Sequence, residues 1–142
     1  MTIARILANR GTDIVTCTAE TSIEDAVRLL AERRIGALPV IDGEVVTGIL
    51  SERDIIHGLR IHGPALFAMH ASEIMTHSPH TVEPGTPVLT AMSLMTQRRV
   101  RHLPVIDAGR MVGFVSIGDL VKHRMDRIES EAEALRSYIQ TA

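Results

Sequence analysis

The sequence predicts an α+β fold made of two tandem copies of a strand-helix-strand-strand-helix (β-α-β-β-α) unit, and three observations carry that prediction. The first is repetition. The stretch Arg-Ile-Gly-Ala-Leu-Pro-Val-Ile-Asp that begins at Arg34 returns at Arg99 as Arg-Val-Arg-His-Leu-Pro-Val-Ile-Asp. The offset of 65 residues holds without insertion or deletion from Thr16/Thr81 to Ile56/Val121, with 14 identities in 41 positions; composition alone would give roughly two or three. The second is that a helical apolar period gives way to two short apolar runs in the same order in each copy. The third is size: at 142 residues either copy alone buries too little surface to be stable, so the two are expected to form one cooperative module with ligand space in the groove between them.

The elements follow in order. Residues 1–12 form an N-terminal helix, Ile3 to Arg10, which Gly11 would terminate. The first repeat occupies 13–60. It opens with a short extended piece, Asp13 to Cys17, and Thr21-Ser22-Ile23-Glu24 then reads as a capping box with Thr21 as cap and Glu24 returning the bond. Ile23, Ala26, Val27 and Leu30 recur at helical spacing. The runs Leu38 to Ile41 and Val45 to Leu50, parted by the turn signal Asp42-Gly43, read as a strand pair. A second helix opens at Ser51.

A connector, 61–78, carries Gly63-Pro64 and a short helical turn from Ala71 to Thr76. The second repeat, 79–124, begins with the extended piece Pro79 to Val82, and Thr86-Pro87 places proline at the first helical position, where its missing N–H costs nothing. Val88, Ala91, Met92 and Met95 face the core, Leu103 to Ile106 and Met111 to Val115 pair across Asp107-Ala108-Gly109, and Ser116 opens the last helix. A C-terminal helix extension, 125–142, keeps Met125, Ile128, Leu135 and Ile139 as an apolar stripe among charges. Such a stripe covers either the module itself or a second chain.

Composition narrows the function classes. The only aromatics are Phe67, Phe114 and Tyr138, with a net charge of −2, which disfavours stacking platforms and a basic face for nucleic acid. Cys17 is the single cysteine, so no internal disulfide forms and a reducing compartment fits. The start lacks a secretory pattern and no apolar run is long enough to span a bilayer. A soluble cytoplasmic protein is expected.

Ser51-Glu52-Arg53-Asp54 and Ser116-Ile117-Gly118-Asp119 stand at equivalent places, each after a buried strand and at a helix start. Ser-x-x-Asp is a capping pattern in its own right. A helix N-terminus is also a natural phosphate site, where the serine hydroxyl could hold a phosphate oxygen while the Asp, one turn on, accepts ribose hydroxyls. His77-Ser78-Pro79-His80 is interrupted by proline and completed by no carboxylate or cysteine, so no metal is expected. Arg33-Arg34 and Arg98-Arg99 end helices, where positive charge suits the dipole. No nucleophile elbow, Cys–His pair or phosphate-binding GxxxxGK[ST] loop is present, and no catalytic residue is assigned.

The paired Leu-Pro-Val-Ile-Asp and Gly-φ-φ-Ser-x-x-Asp motifs (φ apolar) resemble a tandem pair of cystathionine-β-synthase (CBS) domains, a Bateman module, over about 16–59 and 81–121. The ends resemble small stand-alone bacterial CBS-pair proteins. The resemblance implies pseudo-twofold packing and two clefts. One would combine Ser51, Arg53 and Asp54 with Thr81, Val82, Arg101, His102 and Leu103, and the other Ser116 and Asp119 with Thr16, Cys17, Gly36, Ala37 and Leu38. It further implies that Asp54 and Asp119 hold ribose, Ser51 and Ser116 phosphate, and the backbone around Ala37 or His102 the adenine edge. Arg53, Arg101 and His102 load the first cleft with charge, whereas Ile117, Gly118, Gly36 and Ala37 stand at the matching places of the second. The first is therefore expected to take the more highly charged phosphate group, and the second a bulkier or less charged ligand.

The function implied is a non-enzymatic sensor of an adenine nucleotide (AMP, ADP, ATP or NAD(H)), with no catalytic cofactor, acting as a homodimer through a change of conformation or assembly. The alternative is an interaction scaffold that regulates a partner enzyme or transporter through vestigial clefts. S-adenosylmethionine is a further adenosine ligand within the same resemblance.

Overall fold

The computed structural model describes residues 1–10 and 13–141; Gly11, expected to stop the first helix, lies outside them. The elements are α1 (Ile3–Ala8), α2 (Ile23–Arg33), β1 (Ala37–Asp42), β2 (Val45–Ser51), α3 (Glu52–His62), a 3₁₀ turn (Gly63–Ala68), α4 (Ala71–Ile74), β3 (Thr76–His77), α5 (Val88–Arg98), β4 (His102–Asp107), β5 (Arg110–Ser116) and α6 (Ile117–Thr141). The helix, strand pair and second helix of the α+β repeat are present twice in the predicted order. No helix among the described residues is long and apolar enough to cross a membrane.

Local chemistry sets the boundaries and moves two expected caps. Ser22, not Thr21, caps α2, accepting from the Asp25 N–H at 3.1 Å. The Thr21 hydroxyl is already engaged one turn earlier, accepting from the Thr18 N–H at 3.0 Å, and Thr86 accepts likewise from Glu83 in the second copy. Pro87 is consequently the cap residue and not the first helical residue of α5, which begins at Val88. Both helices end on an arginine in the left-handed region, Arg34 at φ 54° and Arg99 at φ 54°. Each such turn is secured by N–H groups of two successive residues that donate to Leu30 O or Met95 O, which offsets a conformational cost of about 1–2 kcal/mol.

Each expected leading strand contracts to one bridge, Cys17 with Val40 and Val82 with Val105, both parallel. Proline is the reason. Pro39 O accepts from Cys17 N–H and Ile41 N–H donates to Cys17 O, but Pro39 itself has no N–H with which to extend the ladder; Pro104 does the same to Val82. The antiparallel pairs β1/β2 and β4/β5 carry the same irregularity, after Val40 and after Val105. The second hairpin turns through Ala108 and Gly109, both at positive φ, as a type I′ turn requires.

Two apolar clusters result, one for each copy. The first gathers Ile23, Leu30, Leu38, Val40 and Leu50 with Leu66, Ala71 and Met75, so the segment 61–78 completes the first repeat's core as well as connecting the copies. The second gathers Val88, Met95, Leu103, Val105, Val115 and Leu120 with Ile3 and Ile6. The N-terminal helix thus belongs to the second repeat: Ile3 N–H donates to Thr86 O at 2.9 Å and Ala4 N–H to Pro84 O at 2.8 Å. The copies meet where β2 approaches β5, and Met111 N–H donates to Glu44 O at 3.1 Å beside an Arg110–Glu44 ion pair at 3.0 Å. Equivalent strands face each other, as in a pseudo-twofold pair.

Candidate functional site

Because each second helix starts directly off the second strand of its hairpin, its first turn opens beside the other copy. At the start of α3 the Ser51 hydroxyl accepts from the Asp54 N–H at 3.2 Å, and Asp54 Oδ2 accepts from the Ser51 N–H at 2.9 Å and the Ser51 hydroxyl at 3.0 Å. Asp54 Oδ1 accepts from the Thr76 hydroxyl at 3.3 Å. Ser-x-x-Asp is therefore a capping box and a cleft wall together. The Glu52 N–H is taken by Gly36 O at 3.0 Å, and Ile117 N–H by Arg101 O at 2.8 Å in the other copy.

The first cleft encloses about 480 Å³ and is walled by Ser51, Glu52, Arg53, Asp54, Thr76 to His80, Arg98 to His102, Gly36 and Ile49. Four arginines and three histidines line it together with two carboxylates, Glu52 and Asp54. Of the residues expected here, Ser51, Arg53, Asp54, Arg101 and His102 come together. Thr81, Val82 and Leu103 lie outside the wall; Val82 and Leu103 are buried in the second repeat's core, held there by the bridge to Val105 and by β4.

The second cleft, about 660 Å³, is walled by Leu7, Arg10, Asp13, Ile14, Val15, Arg34 to Ala37, His102, Val112 to Phe114, Ser116 and Asp119. Gly36, Ala37, Ser116 and Asp119 meet as expected, whereas Thr16, Cys17 and Leu38 lie outside. Cys17 and Leu38 are buried in the first repeat's core, and burial pushes the Cys17 thiol up to about 11. Asp119 Oδ2 accepts from the Ser116 N–H at 2.7 Å, and its Oδ1 meets Arg10 Nη2 at 2.6 Å. Arg10 and Asp13 carried no motif and enter the wall through tertiary packing, whereas Arg34, expected only at a helix end, enters it through the left-handed helix cap. Both volumes fall within the usual range of small-molecule sites.

His102 and Gly36 belong to both walls. The imidazole stacks on Phe114 with centroids 5.5 Å apart and planes 15° from parallel. A Cβ on Gly36 would lie 3.2 Å from Glu52 Oε1, a tight approach, and in ordinary contact with the His102 ring at 3.4 Å. Burial lowers the His102 pKa, Asp119 and Glu52 work against that shift, and Arg101 adds to it. Among the described residues no group of His, Cys, Asp and Glu could hold a metal ion.

The family model for the CBS domain matches residues 7–61 and 71–126. A CBS-domain containing protein from Agrobacterium tumefaciens is 35% identical, with a TM-score of 0.84 over 87% of this chain and 99% of that one. CBSX2 in complex with AMP is 26% identical, with a TM-score of 0.78 over 88% and 97% of the two chains. The CBS domain pair of protein MJ0100, in complex with 5′-methylthioadenosine and S-adenosyl-L-methionine, is 25% identical, with a TM-score of 0.79 over 89% and 98%.

Proposed function

The chain belongs to the CBS-domain family, and on that premise we propose that it is a cytoplasmic regulatory module that senses adenine nucleotides (AMP, ADP, ATP or NAD(H)) in its two clefts and has no catalytic activity of its own. The observation that carries this reading is the first cleft, whose wall combines Arg53, Arg98, Arg99 and Arg101 with Ser51 and Asp54. Guanidinium groups suit phosphate oxygens, and a carboxylate one helical turn away suits a ribose diol. The AMP bound by CBSX2 and the adenosine compounds bound by the MJ0100 pair support the same ligand class. In this reading Asp54 and Asp119 accept from ribose hydroxyls, Ser51 and Ser116 hold phosphate, and the backbone at Ala37 and His102 reads the adenine edge. With four arginines against two carboxylates, the first cleft takes the more phosphorylated ligand; the second balances Arg10 and Arg34 against Asp13 and Asp119.

Calorimetric titration with AMP, ATP, NAD and NADH tests this. Binding of ATP should weaken by about ten-fold or more in Asp54→Ala, the loss expected for a hydrogen bond to a charged group. No binding by any of the four would remove the nucleotide reading and leave the fold intact.

The sensor is a homodimer in this reading, joined along α6. Val121, Met125, Ile128, Ala132, Leu135 and Ile139 alternate at intervals of four and three, a coiled-coil seam, and Met125, Leu135 and Ile139 are 57%, 60% and 64% exposed. A chain ending at Arg124 should sediment as a monomer and the full chain as a dimer. A truncated chain that stays dimeric would favour the scaffold reading, with this face left for a regulated partner protein.

A further inference from the structure

The two repeats close their clefts by different means at one equivalent point. In the first, β3 pairs with β2 so that Thr76 lies opposite Ile49, and the Thr76 hydroxyl reaches Asp54 Oδ1 at 3.3 Å. In the second, no strand among the described residues pairs with the outer edge of β5. Arg10, following α1, performs both tasks with one guanidinium: Nη1 donates to Phe114 O at 2.9 Å, and Phe114 is the repeat equivalent of Ile49, while Nη2 meets Asp119 Oδ1 at 2.6 Å. A weak, neutral donor on one carboxylate is thus replaced by a cation on the other, with the Arg10 side chain 40% exposed to the cleft and solvent.

We propose that Arg10 is the specificity residue of the second cleft: its guanidinium occupies Asp119 until an anionic group on the ligand offers it a replacement partner, so this cleft takes anionic adenosine compounds in preference to neutral adenosine. The inference rests on the nucleotide reading above. A neutral nucleoside has to part Arg10 from Asp119 to reach the carboxylate and gives the guanidinium nothing in return. A phosphate restores the lost ion pair within the same cleft, and an Arg–phosphate contact is frequently bidentate. The exchange also loosens α1, because the Arg10 contacts to Asp119 and Phe114 O tie the end of that helix to the second repeat.

The test is calorimetric titration of AMP and of adenosine against a chain whose first cleft is disabled by Asp54→Ala, with Arg10 intact, with Arg10→Gln and with Arg10→Lys. With Arg10 intact AMP should bind about five-fold more tightly than adenosine, the upper end of what one partly exposed ion pair supplies. Arg10→Gln should bring the ratio close to one, chiefly by tightening adenosine, while Arg10→Lys should keep a preference for AMP. Hydrogen exchange over residues 3–10 should rise on adding AMP to the Arg10 chain. A preference unchanged by Arg10→Gln, or adenosine that binds more weakly in that variant, would overturn the role of Arg10 while leaving nucleotide binding standing. Absence of binding by the unaltered chain would remove both.

Discussion

The first cleft and the second are built on the same frame and finished with different parts. Both have a capping serine, an aspartate at the third helical position and an arginine held left-handed at the end of the other repeat's first helix. The first is completed by residues that follow its own repeat in the chain, the second by a helix that precedes the other repeat. Duplication therefore supplies two sites; differences within the register, such as Arg53 against Gly118 and Arg101 against Gly36, make them unequal in charge, and the segments outside it make them unequal in closure. The difference in closure follows from which short segment packs where.

The largest expected effect probes that closure directly. Gly48 and Gly113 are equivalent positions, and both are crowded. A Cβ at Gly48 would lie 2.8 Å from the Thr76 carbonyl oxygen and 2.6 Å from Met75 Sδ, whereas at Gly113 its three nearest atoms all belong to the Leu7 side chain, the closest being Cδ2 at 2.6 Å. Backbone yields less readily than the end of a leucine. Gly48→Ala should cost about 1–3 kcal/mol in urea denaturation and Gly113→Ala about half as much or less. Equal losses would show α1 to be as firm a neighbour as β3.

A smaller effect sharpens the role of the shared wall. The folded His102 imidazole resists protonation because it is buried, so below the ordinary value of about 6.5 the unfolded chain takes up the proton first and folding loses stability as pH falls. The unfolding temperature should drop between pH 7.5 and 5.5 more steeply in the natural chain than in His102→Gln. Parallel curves would mean that the ring is as well solvated as a free histidine.

The smallest effect is an absence of reactivity. Cys17, expected on a cleft wall, lies in the core with its thiol pushed up to about 11. Iodoacetamide should therefore leave the folded chain unlabelled at neutral pH and label it in urea; rapid labelling of the folded chain would put the thiol back on an open surface.

Much of this could be read in advance because it is local. The capping pairs Ser51/Asp54 and Ser116/Asp119, the apolar spacing of α2 and α5 and the turn after Asp107 are set by neighbours three or four residues away. The displaced caps at Ser22 and Pro87 were missed for a local reason too: a second hydroxyl, Thr21 or Thr86, closes its own turn and is spent. Arg34 and Arg99 had a signal, since both follow the helix pattern directly, but nothing in the spacing tells that a left-handed turn aims them at a cleft. Arg10 had none, because its partners Phe114 and Asp119 lie more than 100 residues along the chain.

What the sequence by itself determined is the repeat, its order of elements and the helix starts at Ser51 and Ser116, since these depend on periodicity and on backbone N–H groups that must find a partner within one turn. Only the tertiary structure decided that 61–78 completes the first core and α1 the second, that Pro39 and Pro104 stop their ladders at one bridge, and that Arg10 rather than a strand faces Asp119. The physical reason is range. A cap or a turn is selected by the few residues that form it, whereas the choice between two short apolar segments for one exposed core edge is made by packing complementarity between parts of the chain that spacing does not connect.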